Sequence, residues 1–429
     1  MKQLSCLFLL LVLLGCEDNF EDTHRYSKLI TSSKDYPIYL DMMEIDDIQV
    51  RENPTFISPF KILSNDNYYF VGDMLKGVHV YEKEASRANY LCFIECRYIK
   101  DFELADNLLF CNNLVDMVVI DVNNPMKIHI LHRQKNHFNS FSGYKECWNI
   151  PYENEKGLIV GTERHELTGT VTEEQPNLDF SEYDQLYGNL TSKVIPDNWF
   201  SDHPEYDKPY LGMIKLGTDE IYTYGTYNSW AICTYPSGEL GVFKVREVDL
   251  WTEPRGNYAP PYYYSDAFPV RMFFEDDMVY ILGAAYNNSG YCDCITYNKD
   301  YPLTYHLYFP NFRPLDITYM QTMQAFFVLS GQSIWVAYKS SDSVYMERYI
   351  DYEIQTDATS IFNVGNNVVT LGNHLSVYSP SENQLKLVKE YPEISGTCYS
   401  KVEDVLTIAN TQGIFFYDIT DLENIQLIP

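Results

Sequence analysis

The sequence predicts an all-β fold, and three observations support this prediction. Aromatic residues make up 15% of the 429 residues, and such side chains favour the half-buried surface of a pleated sheet. Short apolar runs that follow Asn or Asp turns recur from about residue 56 to the end of the chain. No stretch of this region shows the sustained helical periodicity that an amphipathic helix requires.

The recurring unit consists of two apolar strands joined by a small or polar turn. Its clearest copies cover residues 65–81, 105–125 and 403–421. Weaker copies begin near Gly157, Trp230, Met278, Ile334 and Val368. Most of these units are separated by about 35–55 residues, which is the spacing of propeller blades. A small sheet has two faces to cover, so we expect the units to stack around a ring.

We therefore predict one β-propeller domain over residues 36–429, built from four-stranded antiparallel sheets. The unit count favours eight blades, with seven as the alternative. Residues 424–428 have the sequence of an outer strand, so the last blade can be completed from its own segment. Residues 37–50 can add a further strand where the ring closes.

Two of the best copies also carry a family resemblance. In residues 118–125 and again in residues 415–421, an apolar strand that contains Asp is followed by a turn with Asn, Asp or Pro. They resemble the bacterial LVIVD repeat, which implies a β-propeller and brings no catalytic residues with it. From the residues themselves, we expect Asp121 and Asp418 to accept backbone N–H groups of the following turn.

Residues 1–15 have the three-part layout of an export signal. Lys2 precedes the apolar run 7–14, and the small residue Gly15 comes before Cys16. The run is too short to cross a bilayer as a mature helix. Leu13-Leu14-Gly15-Cys16 resembles the lipobox of bacterial lipoproteins, which implies that Cys16 is acylated and anchors the mature protein to a membrane. The alternative is an ordinary secretory signal with an incidental cysteine.

The residues after Cys16 indicate where the protein acts. Residues 16–35 are polar and are predicted to form a tether between the lipid and the folded domain. The acids at positions 17, 18, 21 and 22 are similar to the acidic stretches of surface-exposed Bacteroidetes lipoproteins. This resemblance implies an outer-membrane protein that faces the cell surface, with a periplasm-facing protein as the alternative.

Charge restricts the classes of partner. Lys and Arg number 31 against 60 Asp and Glu, which gives a net charge of −29. Such a charge repels phosphate backbones, so we expect no nucleic-acid partner. Most of the eight cysteines after Cys16 lie in apolar runs, and we expect mostly unpaired, buried thiols there.

Two irregular stretches supply the candidate contact residues. The first is a predicted insertion at about 173–210, and the second follows the fourth unit. Rings interleaved with acids and amides suit a glycan or a protein partner; alternatively, these rings only hold the insertion in place. The candidate contact residues are Trp199, His203, Tyr206, Trp251, Tyr258, Tyr262, Tyr263 and Tyr264.

Catalytic motifs are absent from the sequence. Arg164-His165-Glu166 lacks the second histidine of a zinc protease motif, and Gly331-Gln332-Ser333-Ile334-Trp335 lacks the closing glycine of a nucleophile elbow. We predict no catalytic residues, metal or cofactor, and a binding or scaffold module for a protein or glycan at the cell envelope. The alternative is a carbohydrate-active enzyme, a glycoside hydrolase or lyase, with carboxylates in the central funnel of the propeller.

Overall fold

The computed structural model describes residues 27–428 with gaps, of which the longest are 138–151, 197–211, 235–243 and 250–266. Strands dominate the described residues, and the sheets are antiparallel apart from one short parallel pairing. The fold is therefore all-β, and most of its sheets have four strands, as predicted.

Short strands follow one another along most of the described chain. The first part contains β1 (Ser27–Leu40), α1 (Met42–Asp46), β2 (Gln49–Arg51), β3 (Pro59–Ser64), β4 (Tyr68–Asp73), β5 (Gly77–Glu84), β6 (Arg87–Glu95), β7 (Phe102–Ala105), β8 (Leu108–Asn113), β9 (Asp116–Asp121), β10 (His129–Gln134), β11 (Tyr152–Glu153), β12 (Gly157–Thr172), α2 (Ser181–Tyr187) and β13 (Leu190–Ser192). The middle part contains β14 (Gly212–Leu216), β15 (Glu220–Tyr224), β16 (Ser229–Thr234), β17 (Lys244–Asp249), β18 (Ala267–Glu275), β19 (Met278–Ala285), β20 (Gly290–Thr296) and β21 (Thr304–Phe309). The last part contains β22 (Asp316–Met320), β23 (Ala325–Ser330), β24 (Ser333–Lys339), β25 (Met346–Glu353), β26 (Ala358–Val364), β27 (Asn367–Gly372), β28 (Leu375–Ser381), β29 (Gln384–Tyr391), β30 (Cys398–Val402), β31 (Val405–Asn410), β32 (Gly413–Asp418) and β33 (Gln426–Leu427).

The described chain divides into two compact units. The smaller one comprises the described parts of Met1–Leu40 and Ile159–Ile195, and the larger one those of Asp41–Leu158 and Pro196–Pro429. In the smaller unit, β1 pairs with β12 and, over three residues, with β13. Residues 27–35 therefore lie in a strand, although their polar sequence predicts part of the tether.

Seven sheets form the larger unit within the described residues. Sheet 1 has the order β2-β6-β5-β4-β3, and sheets 2 to 7 are β7–β10, β14–β17, β18–β21, β22–β25, β26–β29 and β30–β33. Each sheet contains one of the predicted repeat units. The eighth unit, near Gly157, is different because β12 pairs with β1 instead of forming a sheet of this type. From Thr162 onward β12 is rich in exposed polar residues, so it cannot be buried between two other sheets.

Apolar side chains fill the spaces between neighbouring sheets. Sheets 1 and 2 share a cluster that includes Phe70, Ile94, Phe102 and Val118. Similar clusters join sheets 4 and 5, 5 and 6, and 6 and 7. A further cluster joins the first sheet to the last, with Val71 and Tyr81 of sheet 1 packed against residues of sheet 7 that include Ala409. In each of these pairs, one sheet covers an apolar face of its neighbour. A single sheet of this size could not bury both of its own faces.

Turn aspartates fix the ends of strands as the sequence predicted. The Asp121 carboxylate accepts the N–H of Asn123 at 2.9 Å, and the Asp418 carboxylate accepts the N–H of Thr420 at 2.9 Å. Hydrogen bonding lowers the pKa of Asp418 below its usual value, with the Thr420 side chain as the main cause. The outer strand predicted for the last blade is also present, since β33 pairs with β32.

Two equivalent glycines provide a test of how closely the strands pack. Gly77 and Gly413 begin β5 and β32 with φ values of +156° and +146°. A Cβ at Gly77 would lie 2.1 Å from the Ile94 carbonyl oxygen, whereas a Cβ at Gly413 would have no atom within 4 Å. We expect Gly77→Ala to lower the free energy of unfolding by about 2 kcal/mol more than Gly413→Ala does. Urea denaturation of both variants measures this difference, and equal losses would show that crowding at Gly77 is unimportant.

Candidate functional site

The smaller unit contains two long paired strands, β1 and β12, and we refer to this pair as the ribbon. Its register runs from Ser27 opposite Thr172 to Tyr39 opposite Ile159, with one irregularity after Ile38. Residues directly opposite each other in an antiparallel pair project from the same face. The ribbon therefore has two faces with different surroundings.

One face of the ribbon is covered by the segment that contains α2. The Asp184 carboxylate accepts hydrogen bonds from Lys34 Nζ at 2.6 Å and from the Tyr36 hydroxyl at 2.7 Å. The His165 ring stacks on Tyr187 with 3.7 Å between ring centroids. Tyr36 is only 2% exposed. These contacts attach α2 to the ribbon although α2 itself has no buried residue.

The ionisable groups of this contact have shifted pKa values. Hydrogen bonds from Lys34 and then Tyr36 lower the pKa of Asp184 below its usual value. Burial, with the Asp184 carboxylate as a second cause, raises the pKa of Tyr36 to about 12. At neutral pH the pair therefore holds a charged carboxylate and a neutral phenol, which is the combination that forms the hydrogen bond.

The attachment of α2 is expected to weaken in acid. The pKa of Asp184 is lower in the folded protein than in the unfolded chain. Its contribution to the stability of the α2 contact is therefore present above the unfolded-state pKa and is lost as the pH falls through the folded-state pKa. We expect hydrogen-exchange protection of residues 181–188, corrected for intrinsic rates, to fall in this acidic range. In Asp184→Asn the protection should be weaker at neutral pH and should depend less on pH. Part of the dependence should remain, because the pKa of Asp179, which accepts the Ser181 N–H, is also lowered. Equal pH profiles for the two proteins would contradict the assignment.

The other face of the ribbon is open in the described residues, and it is polar apart from Leu29. Four opposite pairs form it, and all eight side chains are exposed: Leu29 with Thr170, Thr31 with Thr168, Ser33 with Glu166, and Asp35 with Arg164. Two of the pairs are bonded across the strands. Arg164 makes a bidentate ion pair with Asp35 at 2.7 and 2.9 Å, and the Thr31 and Thr168 hydroxyls lie 2.8 Å apart. These bonds hold the exposed side chains in a regular array.

Both long edges of the ribbon also carry backbone groups with no strand beside them in the described chain. β13 pairs only with Ile38–Leu40, and β11 pairs only with Gly157 and Leu158. Unpaired N–H and C=O groups on a sheet edge are a template for pairing with another extended segment. The ribbon is therefore the best-formed candidate docking surface in the described structure.

A second cluster of charges lies where sheets 1, 2 and 3 meet. Lys61 Nζ donates to Asp101 at 3.0 Å, to Glu103 at 3.1 Å and to the Met213 carbonyl at 3.3 Å. The Met213 N–H donates to the other oxygen of Asp101 at 2.6 Å. The second oxygen of Glu103 accepts from the Leu104 N–H at 3.3 Å. Every carboxylate oxygen of this cluster therefore has a donor.

Burial also affects the protonation of this cluster. Burial opposes the charged form of Lys61, but the neighbouring carboxylates outweigh it and raise the pKa of the ammonium group. Burial raises the pKa of Glu103, and Lys61 opposes that rise. The carboxylates of Asp101 and Glu103 share the Lys61 cation, and all of their oxygens accept hydrogen bonds. Such an arrangement is suited to holding neighbouring sheets together. It does not resemble a pair of carboxylates on either side of a substrate.

The residues predicted as sites from the sequence fall outside the described part of the chain. These are Cys16, Trp199, His203, Tyr206, Trp251, Tyr258, Tyr262, Tyr263 and Tyr264. Of the predicted insertion at 173–210, the described part contains α2 and β13. Two of its rings, Tyr183 and Tyr187, pack against His165 of the ribbon.

Sequence reasoning missed the ribbon, although a signal for it is present. Residues 164–172 alternate between threonine or charged residues and other types with a period of two, as half-exposed strands do. The partners of β12 in β1 lie 120 to 145 residues earlier in the chain, from Tyr39 opposite Ile159 to Ser27 opposite Thr172. Nothing in either segment alone specifies that pairing.

The described residues show neither a metal cluster nor a membrane-spanning helix. No group of three or more His, Cys, Asp and Glu side chains there could hold a metal ion. None of the described helices has the length and apolar character needed to cross a membrane.

Comparisons with known proteins identify no family. No family model and no curated protein matches the chain. A chain of the mitotic checkpoint complex is similar in structure with a TM-score of 0.49, 10% identity and coverage of 87% of this chain and 91% of that one. The designed protein Ika8 is similar with a TM-score of 0.43 and 9% identity, and the match covers 92% of this chain and 90% of that one. The Pan2 WD40 domain of Neurospora crassa is similar with a TM-score of 0.41 and 9% identity, and the match covers 87% of this chain and 89% of that one.

Proposed function

We propose that this chain is a binding or scaffold module, built on a β-propeller and held at the cell envelope by a lipid on Cys16. The observation that carries the proposal is the ribbon, which presents an ordered polar face and two free strand edges in the described chain. The propeller supplies a rigid body, and the anchor places it outside the cytoplasm.

A closed ring of seven blades fits the larger unit better than eight. Seven sheets are described there, and the first shares an apolar cluster with the last. Polar bonds run between the same sheets, since the Thr397 hydroxyl donates to the Pro59 carbonyl at 2.5 Å. Bonds of the same kind link sheets 5 and 6, where the Ile361 N–H donates to Asp316 at 2.9 Å.

Charge favours a basic protein as the partner. The described parts of the smaller unit contain the cations Lys28, Lys34, Arg164 and Lys193 against the acids Asp35, Glu163, Glu166, Glu173, Glu174, Asp179, Glu182 and Asp184. An extended basic segment could bond to a ribbon edge through its backbone and to these acids through its side chains. We therefore favour a protein over a glycan for the ribbon.

A capture experiment tests this function. The chain without residues 1–16, which we call the soluble domain, is immobilised and exposed to solubilised envelope proteins and, separately, to a glycan array. We expect one main protein partner, whose binding falls about tenfold in Glu166→Lys and weakens with salt. Glu423→Lys, an equally charged change at an exposed turn of the larger unit, should leave binding unchanged.

Two outcomes would overturn the proposal. If the ribbon variant and the turn variant bind the partner equally, the ribbon is not the docking surface. Turnover of a glycan by the soluble domain would replace the binding module with the carbohydrate-active enzyme. The fully bonded Asp101 and Glu103 give that enzyme no support within the described residues.

A further inference from the structure

Two cysteines from different sheets lie in contact inside the larger unit. Cys96 follows the end of β6 in sheet 1, and Cys111 lies in β8 of sheet 2. Their sulfur atoms are 3.7 Å apart, and the residues are 1% and 0% exposed. A disulfide has an S–S distance of about 2.05 Å. To form one, the two sulfurs therefore need to approach each other by the difference between this length and 3.7 Å.

The backbone on both sides of this contact is held in place by hydrogen bonds. The Cys96 N–H donates to the Lys76 carbonyl at 3.1 Å, and its thiol donates to the Asn112 carbonyl at 3.5 Å. The Asn112 side chain accepts from the Lys100 N–H at 2.7 Å and donates to the Tyr98 carbonyl at 3.0 Å. The loop from Cys96 to Cys111 is therefore tied to β8 at several points, which keeps the two cysteines beside each other.

We propose that Cys96 and Cys111 form a disulfide that joins sheets 1 and 2 when the chain folds under oxidising conditions. The oxidant is a small-molecule or protein disulfide. One cysteine thiolate attacks it and forms a mixed disulfide, and the second thiolate then displaces the remaining oxidant thiol. In balance, two cysteine thiols lose two protons and two electrons, and the oxidant disulfide becomes two thiols.

The timing of this reaction follows from burial. The hydrogen bond between the two thiols and their burial raise the pKa of Cys111 well above its usual value. Since the thiolate is the attacking species, exchange is slow once the sheets have packed. The bond therefore forms while sheets 1 and 2 assemble, and it is then protected from reduction.

Another buried cysteine provides a matched control. Cys92 is also 1% exposed, but its thiol donates to the Pro125 carbonyl at 3.5 Å instead of contacting a second sulfur. Cys92→Ala removes a thiol of similar burial and leaves the proposed bond intact. Cys111→Ala removes one half of the bond.

The test is refolding of the soluble domain in a buffer of oxidised and reduced glutathione, followed by alkylation and non-reducing peptide mass spectrometry of the soluble monomer. We expect most wild-type and Cys92→Ala chains to contain the peptide pair linked through Cys96 and Cys111, and Cys111→Ala chains to lack it. Oxidised wild type should also unfold at a higher urea concentration than wild type treated with reductant during refolding.

Alkylation of both cysteines in most oxidised wild-type monomers would overturn the proposal, and so would a dominant link to any other cysteine. This readout uses the wild-type chain, so it does not depend on the folding of a variant. The disulfide measurement is also independent of export, lipid attachment and partner binding. The proposed function can therefore fail while the disulfide is present, and the disulfide can be absent while the proposed function holds.

Discussion

Lys61→Met is expected to lower the free energy of unfolding by about 3 kcal/mol. The substitution removes the cation shared by Asp101 and Glu103, whose side chains are 14% and 10% exposed. Both carboxylates would then remain close together in a region of low polarity without a counter-charge, which is costly. Urea denaturation at pH 7, followed by tryptophan fluorescence, measures the loss.

Two further variants separate this effect from general disturbance. Lys34→Met removes an ion pair whose side chains are 45% and 48% exposed, and we expect a loss below about 1 kcal/mol. Adding Glu103→Gln to Lys61→Met should recover part of the stability, because one uncompensated charge is gone while the acceptor for the Leu104 N–H remains. Equal losses in the Lys61 and Lys34 variants would contradict the role of the buried cluster.

Cys16→Ser is expected to abolish incorporation of a labelled fatty acid into the protein. The serine hydroxyl replaces the thiol that the lipobox resemblance assigns as the acylation site. The mature domain should also be lost from the salt-washed membrane fraction, unless the uncleaved apolar run 7–14 retains the precursor. Metabolic labelling and fractionation of the producing cells measure the two effects.

Cys6→Ser is the matched control, since Cys6 lies within the same predicted signal. Its labelling and fractionation should equal those of the wild type. Persistent labelling of Cys16→Ser would refute the anchor. Digestion of intact cells by an added protease then distinguishes the cell surface from the periplasm, because only a surface-exposed domain is cut.

The repeated sheets could be predicted from the sequence because their contacts are local. Apart from β2, which pairs with β6, the strands of these sheets pair with their neighbours in the chain. Turns such as Asp121-Val122-Asn123 mark where a strand ends. Apolar runs such as Met117–Ile120 are fully buried, so hydrophobicity alone locates them. Seven predicted units correspond to sheets for this reason.

The eighth unit and the tether differed from the prediction because they depend on a distant pairing. The run after Gly157 looks like another blade, but its partner is β1. Residues 27–35 are polar and look like a tether, but cross-strand bonds such as Arg164 with Asp35 and Thr31 with Thr168 order them. Polar strands of this kind give no hydrophobic signal.

The contacts that hold α2 on the ribbon were even less accessible to sequence reasoning. Asp184, Tyr36 and His165 are far apart in sequence and are ordinary residue types. Their meeting depends on how α2 lies on the ribbon. The same holds for Lys61 with Asp101 and for Cys96 with Cys111, each of which joins two sheets.

A distance measurement between the first and last sheets tests the closed ring most directly. Spin labels on cysteines introduced at Asp66 and Glu403 report on the turns after β3 and β30, and a second pair at Asp66 and Gln324 reports on sheet 5. In a closed ring of seven sheets the first pair is clearly closer than the second, because sheets 1 and 7 are neighbours. A first pair that is farther apart than the second would show an open array of sheets and contradict the account.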